Sequence, residues 1–167
     1  MNITLIGMVG VGKSSVGRKL AVKIGARCID VDRLIEKEYG RKLQAIIDEY
    51  GEKKFLSIES GAIRNLVFSP QKKYVISPGG SSVYSARAMR FLKKKSVVVF
   101  LDAPLVIIAR HIQDKSSRGI IGSRRLTLAE LYRQRRPLYK KYADHTVRIT
   151  SGDSLGMVIR KILTKAG

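Results

Sequence analysis

A chain of 167 residues with 44% hydrophobic content is long enough to bury a core and too short for a second domain to be expected. No apolar run approaches the ~20 residues that cross a bilayer, and the chain enters a strand without the basic-then-apolar layout of a secretion leader, so a soluble cytoplasmic protein with no membrane partner is expected. With 33 Lys and Arg against 13 Asp and Glu, the net charge of +20 attracts polyanions. The basic residues are scattered from Arg18 to Lys165, with no helix-turn-helix, zinc-finger or aromatic stacking pattern, so a solvated basic surface and an anionic small-molecule site are expected ahead of specific nucleic-acid recognition.

In chain order, Ile3 to Ile6 is short, apolar and β-branched and reads as a buried strand, and Ser14 to Ile24 carries apolar and small residues at helical spacing. Between them, Gly7-Met8-Val9-Gly10-Val11-Gly12-Lys13-Ser14 fills the pattern G-x-x-x-x-G-K-[ST] at every fixed position. Glycines let the backbone turn tightly enough for several N–H groups to face phosphate oxygens, at a helix N-terminus whose partial positive charge favours anions. Gly10, Val11, Gly12, Lys13, Ser14 and Ser15 are therefore the expected nucleotide-binding residues, with Lys13 on the β- and γ-phosphates and the Ser14 hydroxyl on Mg²⁺. ATP and Mg²⁺ are the expected cofactors.

Ala26 to Val31 reads as a second strand, and Cys28 within it as a small buried hydrophobe, since a lone cysteine closes no internal disulfide. Helices are expected over 33–39, 43–50 and 52–68, the last two separated by Gly51, followed by a short strand over 73–77. A helix over 86–92 and a strand over 96–101 come next, then a helix opened by Pro104 and running to about Ile112. Residues 113–125 lack periodicity and read as a mobile loop. A basic helix over 126–142, kinked or broken at Pro137, a strand over 146–149 and an amphipathic helix over 153–164 complete the chain. Alternating β and α segments with apolar strands predict an α/β fold: a three-layer α/β/α arrangement around a parallel sheet of about five strands. His111 and His145 form no metal-binding constellation.

Further segments carry a resemblance. Asp30-Val31-Asp32 closes the second strand and is followed by Ile35-Glu36; then come Gly51-Glu52 with Phe55 and Glu59, Gly79-Gly80, Arg118, Arg135-Arg136-Pro137-Leu138-Tyr139 and Ala143-Asp144. In order and spacing, across nearly the whole chain, this set resembles the shikimate kinases, small P-loop kinases of the nucleoside monophosphate kinase type. The resemblance implies transfer of the γ-phosphoryl group of ATP to the 3-hydroxyl of shikimate by one kinase domain over 1–167, with a lid near 113–125 and an acceptor-binding helical region near 32–60. A monomer is expected.

The resemblance further implies roles. Asp30 would join Ser14 in holding Mg²⁺ and its water shell, and Asp32 would bind the acceptor hydroxyl and stand ready for its proton. Asp is also a favoured N-cap, so either residue could instead cap the helix at Arg33. Gly79 and Gly80 would line the acceptor site, Arg110 would lie near adenine, and Arg118 would close over the phosphates on the lid. Arg135 would bind the acceptor carboxylate. Three positions depart from the family: Leu56 replaces a second carboxylate-binding arginine, Ser81 a third glycine, and Gly119 the proline that follows the lid arginine. Loss of one charge-assisted hydrogen bond costs about 1.5 to 3 kcal/mol, enough to change the preferred acceptor. Lys53, one helical turn before Leu56, could supply a replacement charge, though as a point charge without the planar fork of arginine. Two other readings stay open: a kinase of the same fold for another hydroxylated acid, as in gluconate kinases, and a basic nucleotide- or nucleic-acid-binding P-loop protein with little catalysis.

Overall fold

The computed structural model describes residues 1–113 and 119–167. Its centre is a five-stranded, all-parallel sheet in the order β2-β3-β1-β4-β5, built from β1 (Ile3–Ile6), β2 (Arg27–Asp30), β3 (Tyr74–Ser77), β4 (Val97–Asp102) and β5 (His145–Arg148). β1 lies in the middle, between β3 and β4, and every residue of β1 and β3 is buried, Thr4 and Ser77 included, as their mostly apolar sequences suit when helices cover both faces. The edge strands β2 and β5 are partly exposed. Cys28 lies on edge strand β2 and is exposed, which corrects the expectation of a buried residue: an edge position removes the cover that the local sequence suggested.

Helix α1 (Lys13–Lys23) buries Val16, Gly17, Leu20 and Ala21, a stripe one turn apart that faces the sheet. Helices α2 (Val31–Tyr39) and α3 (Leu43–Arg64) follow β2, and α3 kinks at Gly51, whose φ of 78° no other residue type adopts readily. Gly51 thus interrupts α3 where a helix break was expected. Helices α4 (Ala86–Lys95), α5 (Leu105–Gln113), α6 (Leu128–Tyr142) and α7 (Leu155–Ala166) complete the layers, and a single 3₁₀ turn, Ser82–Tyr84, precedes α4.

Helix α6 starts two residues later than expected because Thr127 and Glu130 form a reciprocal capping box. Pro137 sits inside α6 without ending it. What holds the helix is tertiary: Arg136 donates two hydrogen bonds to Asp102 on β4, at 2.9 and 2.7 Å, and Tyr139 stacks on Phe100 at 5.1 Å. No helix among the described residues is long and apolar enough to cross a membrane.

Candidate active site

Parallel strands deliver their carboxyl ends to one edge of the sheet, and ligands collect where the chain departs from neighbouring strands in opposite directions. β1 occupies that point, and a cleft of about 430 Å³ opens above it. It gathers Gly10, Gly12, Lys13, Ser14, Ser15, Asp30, Asp32, Gly79, Gly80 and Arg135 from separate stretches of chain. Val11 turns its side chain into the core, and Arg110 is exposed on α5 outside the cleft lining. Arg118 and residues 114–117 of the expected lid lie outside the described residues.

The P-loop is built for anions. Gly12 is the N-cap of α1 with φ 94° and has no side chain to cap it, so the first-turn N–H groups have no side-chain acceptor. Lys13 is partly buried in the same loop and donates from Nζ to the carbonyls of Gly7 at 2.8 Å and Met8 at 2.9 Å. Burial pushes its ammonium down to about 8, against the opposing pull of Asp32. An anionic phosphate would restore the charge that burial disfavours. On the neighbouring helix, His111 Nδ1 lies 2.8 Å from the Gly10 carbonyl and so ties α5 to the loop.

Asp30 both lines the cleft and caps α2, accepting from the Arg33 backbone N–H at 3.4 Å, so the two readings of this residue coexist. The donor set fits Mg²⁺: the Ser14 hydroxyl and the Asp30 carboxylate both face the cleft, and the described residues hold no cluster of three or more His, Cys, Asp or Glu that would trap a softer metal. A magnesium ion held by one or two protein oxygens, with phosphates and water as its other ligands, needs no more.

Opposite the P-loop, Gly79 and Gly80 pass close to charged groups. A Cβ on Gly79 would collide with the Glu59 carboxyl group and lie 2.8 Å from Asp32 Oδ1, and one on Gly80 would lie 3.2 Å from Arg135 Nη1. Tyr139, buried at the same point, donates its hydroxyl to the Gly80 carbonyl at 2.6 Å. Arg135 is only 1% exposed; its Nη2 donates to the Ile121 carbonyl at 2.6 Å, and its guanidinium lies 5.2 Å from the centre of the Tyr84 ring. A guanidinium held on two sides is preorganised for a carboxylate on its open edge. Ile121 belongs to the described end of the expected lid, where Gly119 to Leu126 fold into successive turns and Glu52 accepts from the Gly122 backbone N–H at 2.6 Å and from Arg125 Nη2 at 2.7 Å.

One expectation changes here. Lys53 is exposed and does not line the cleft, so it does not take the place of the missing arginine. Leu56 packs against the hydrophobic core, and among the described residues the cations that line the cleft are Lys13, Arg18, Arg33, Lys42 and Arg135. Ser81 turns its hydroxyl to Glu59, donating to Oε2 at 2.7 Å. Sequence reasoning gave Glu59 no role, yet its spacing carried a signal: it follows the buried Phe55 by four residues and so places a carboxyl group on the apolar face of α3.

The family model for shikimate kinase matches residues 9–166. The chain belongs to the shikimate kinase family. It is 36% identical over 163 residues to a shikimate kinase of Persephonella marina, covering 97% of this chain and 96% of the relative. A shikimate kinase of Thermodesulfovibrio yellowstonii is also 36% identical, over 97% of this chain and 92% of its own length. Among solved structures, the shikimate kinase from Acinetobacter baumannii in complex with shikimate superposes with a TM-score of 0.85 at 30% identity, covering 98% of this chain and 90% of that one.

Proposed function

We propose that the chain, working as a single kinase domain in the cytoplasm where ATP is available, transfers the γ-phosphoryl group of ATP to the 3-hydroxyl of shikimate. One observation carries the reading: an uncapped P-loop helix with Lys13, the Asp32 carboxylate and the preorganised Arg135 guanidinium all face one cleft, in a chain of this family.

The P-loop N–H groups and Lys13 bind the β- and γ-phosphates, and Ser14 and Asp30 would hold Mg²⁺. Held there, a magnesium ion would offset the negative charge that develops on the phosphate oxygens. Asp32 orients the acceptor hydroxyl in line with the γ-phosphorus and takes its proton as the new P–O bond forms and the bond to ADP breaks. Arg135 fixes the acceptor carboxylate, while Gly79 and Gly80 let the sugar-like ring approach the backbone. Arg118 is assigned to the closing lid, where a cation stabilises transition-state charge and closure excludes water that would hydrolyse ATP. With reactants and charges positioned in this way, proximity and electrostatics supply most of the rate.

A second reading has its own support: Leu56, packed against the core, stands where the family carries a second carboxylate-binding arginine, so a different hydroxylated acid could be the better acceptor. ADP release from Mg-ATP, measured with and without graded shikimate, separates the two. Release that saturates with shikimate supports the first, whereas nucleotide binding without shikimate-dependent release overturns it and calls for a screen of other hydroxylated acids.

A further inference from the structure

Glu59 is a fully buried carboxyl group of the site and has no part in the scheme above. Helix α3 carries it beneath Gly79, where it is 1% exposed. Its Oε2 receives the Ser81 hydroxyl at 2.7 Å, and its Oε1, also buried, has no hydrogen-bond partner among the described residues. The absent side chain of Gly79 leaves a gap flanked by two carboxyl groups, those of Glu59 and Asp32. A buried anion with an unsatisfied oxygen beside a second carboxylate is the most costly arrangement such a pair can adopt, and one proton relieves it.

We propose that Glu59 is a neutral carboxylic acid that positions Asp32, with Ser81 holding Oε2 as the acceptor and the proton kept on Oε1, in the gap shared with Asp32. The inference rests on the role given to Asp32 above. The groups facing Glu59 are Asp32 from α2, Lys13 from α1, Arg135 and Tyr139 from α6, and the Ser81 hydroxyl. Burial and then Asp32 push the Glu59 carboxyl up to about 7, against the opposing effects of Ser81, Arg135 and Lys13. A proton on Oε1 offers Asp32 a donor that holds its carboxylate in place. Once Glu59 ionises, the two carboxylates repel across the gap and Asp32 loses that hold. Ser81 stands where the family pattern has a glycine, so the hydroxyl that fixes the orientation of Glu59 is a feature of this chain.

Two measurements test the pair. Infrared difference titration of the nucleotide-free protein, with E59Q as the reference, should show a protonated-carboxyl C=O band that is lost as pH rises through about 7 and is absent from the variant. In steady-state kinetics with Mg-ATP, wild-type kcat/KM for shikimate should fall about tenfold per pH unit once Glu59 has ionised. E59Q, whose amide still donates, should keep turnover near pH 6 within about fivefold and lack that fall, while E59A should lose about tenfold or more at every pH, with KM for ATP unchanged in both. Any fall near 8 that persists in E59Q belongs to Lys13. Absence of the band at pH 6 overturns the inference whatever the acceptor proves to be. E59Q with the wild-type pH profile, or E59A with wild-type kcat/KM, overturns it while leaving the shikimate reading intact. A titrating band in a wild-type protein that does not phosphorylate shikimate supports the neutral acid and overturns the shikimate reading.

Discussion

Replacing Glu59 by Gln should make the protein more stable above neutrality and should flatten its dependence on pH. The native carboxyl keeps its proton up to about 7, because burial disfavours the anion, whereas an unfolded glutamate releases it near 4.5. Between those values the native state binds more protons than the unfolded state, so stability falls as pH rises through this window. The displacement from 4.5 to about 7 corresponds to about 3 kcal/mol, developed almost fully by pH 8. Gln cannot ionise, and its amide can still accept from Ser81. The stability of E59Q relative to wild type should therefore rise by about 3 kcal/mol between pH 5 and pH 8. Lys13, lowered to about 8, contributes in the opposite direction above that value, but it does so in both proteins and largely cancels in the difference. Urea unfolding of the ligand-free proteins at several pH values reads this difference directly, provided the m-values match. A difference that stays constant from pH 5 to pH 8 would refute the reasoning, since it would mean that Glu59 titrates alike in the folded and unfolded chains.

Lys13→Met should lower turnover by about a hundredfold or more without unfolding the protein, because it removes a phosphate donor while sparing the cost of a buried ammonium; single-turnover kinetics and circular dichroism check the two halves. Gly79→Ala should abolish acceptor binding while leaving nucleotide affinity unchanged, since the atoms nearest the added Cβ are the Glu59 carboxyl and Asp32 Oδ1; calorimetry with each ligand distinguishes this from global damage. Arg135→Met should raise KM for shikimate by about ten- to a hundredfold, the loss of a charge-assisted pair, with a smaller effect on KM for ATP. Asp102→Ala strips Arg136 of its bidentate partner and should cost about 3 kcal/mol, the low end for a broken buried pair because the Arg136 side chain is 35% exposed; denaturant midpoints measure it.

The P-loop was legible because its chemistry is local: strand, glycine turn, lysine and helix N-terminus follow one another within a dozen residues, and the structure sets them in that order. Asp30 and Asp32 were legible as a carboxylate pair at a strand end, and Asp30 both caps α2 and lines the cleft. Cys28 was misread because burial depends on which strand lies at the sheet edge, and Lys53 because helical spacing says nothing about where a kinked helix points its faces. The start of α6 was displaced by the Thr127 capping box, and Pro137 was tolerated because the Arg136–Asp102 pair and the Phe100–Tyr139 stack hold the helix against β4.

The sequence by itself determined the α/β alternation, the phosphate-binding loop and the family, because each is written in short-range spacing and in residue types that few other arrangements require. Only the tertiary structure decided that Ser81 donates to Glu59, that Glu59 and Asp32 flank one gap at Gly79, and that Leu56 packs against the core while Arg135 lines the cleft. Those contacts join residues 20 or more positions apart through the parallel crossovers, and the burial that sets their charge states exists only once the sheet and both helical layers have closed around them.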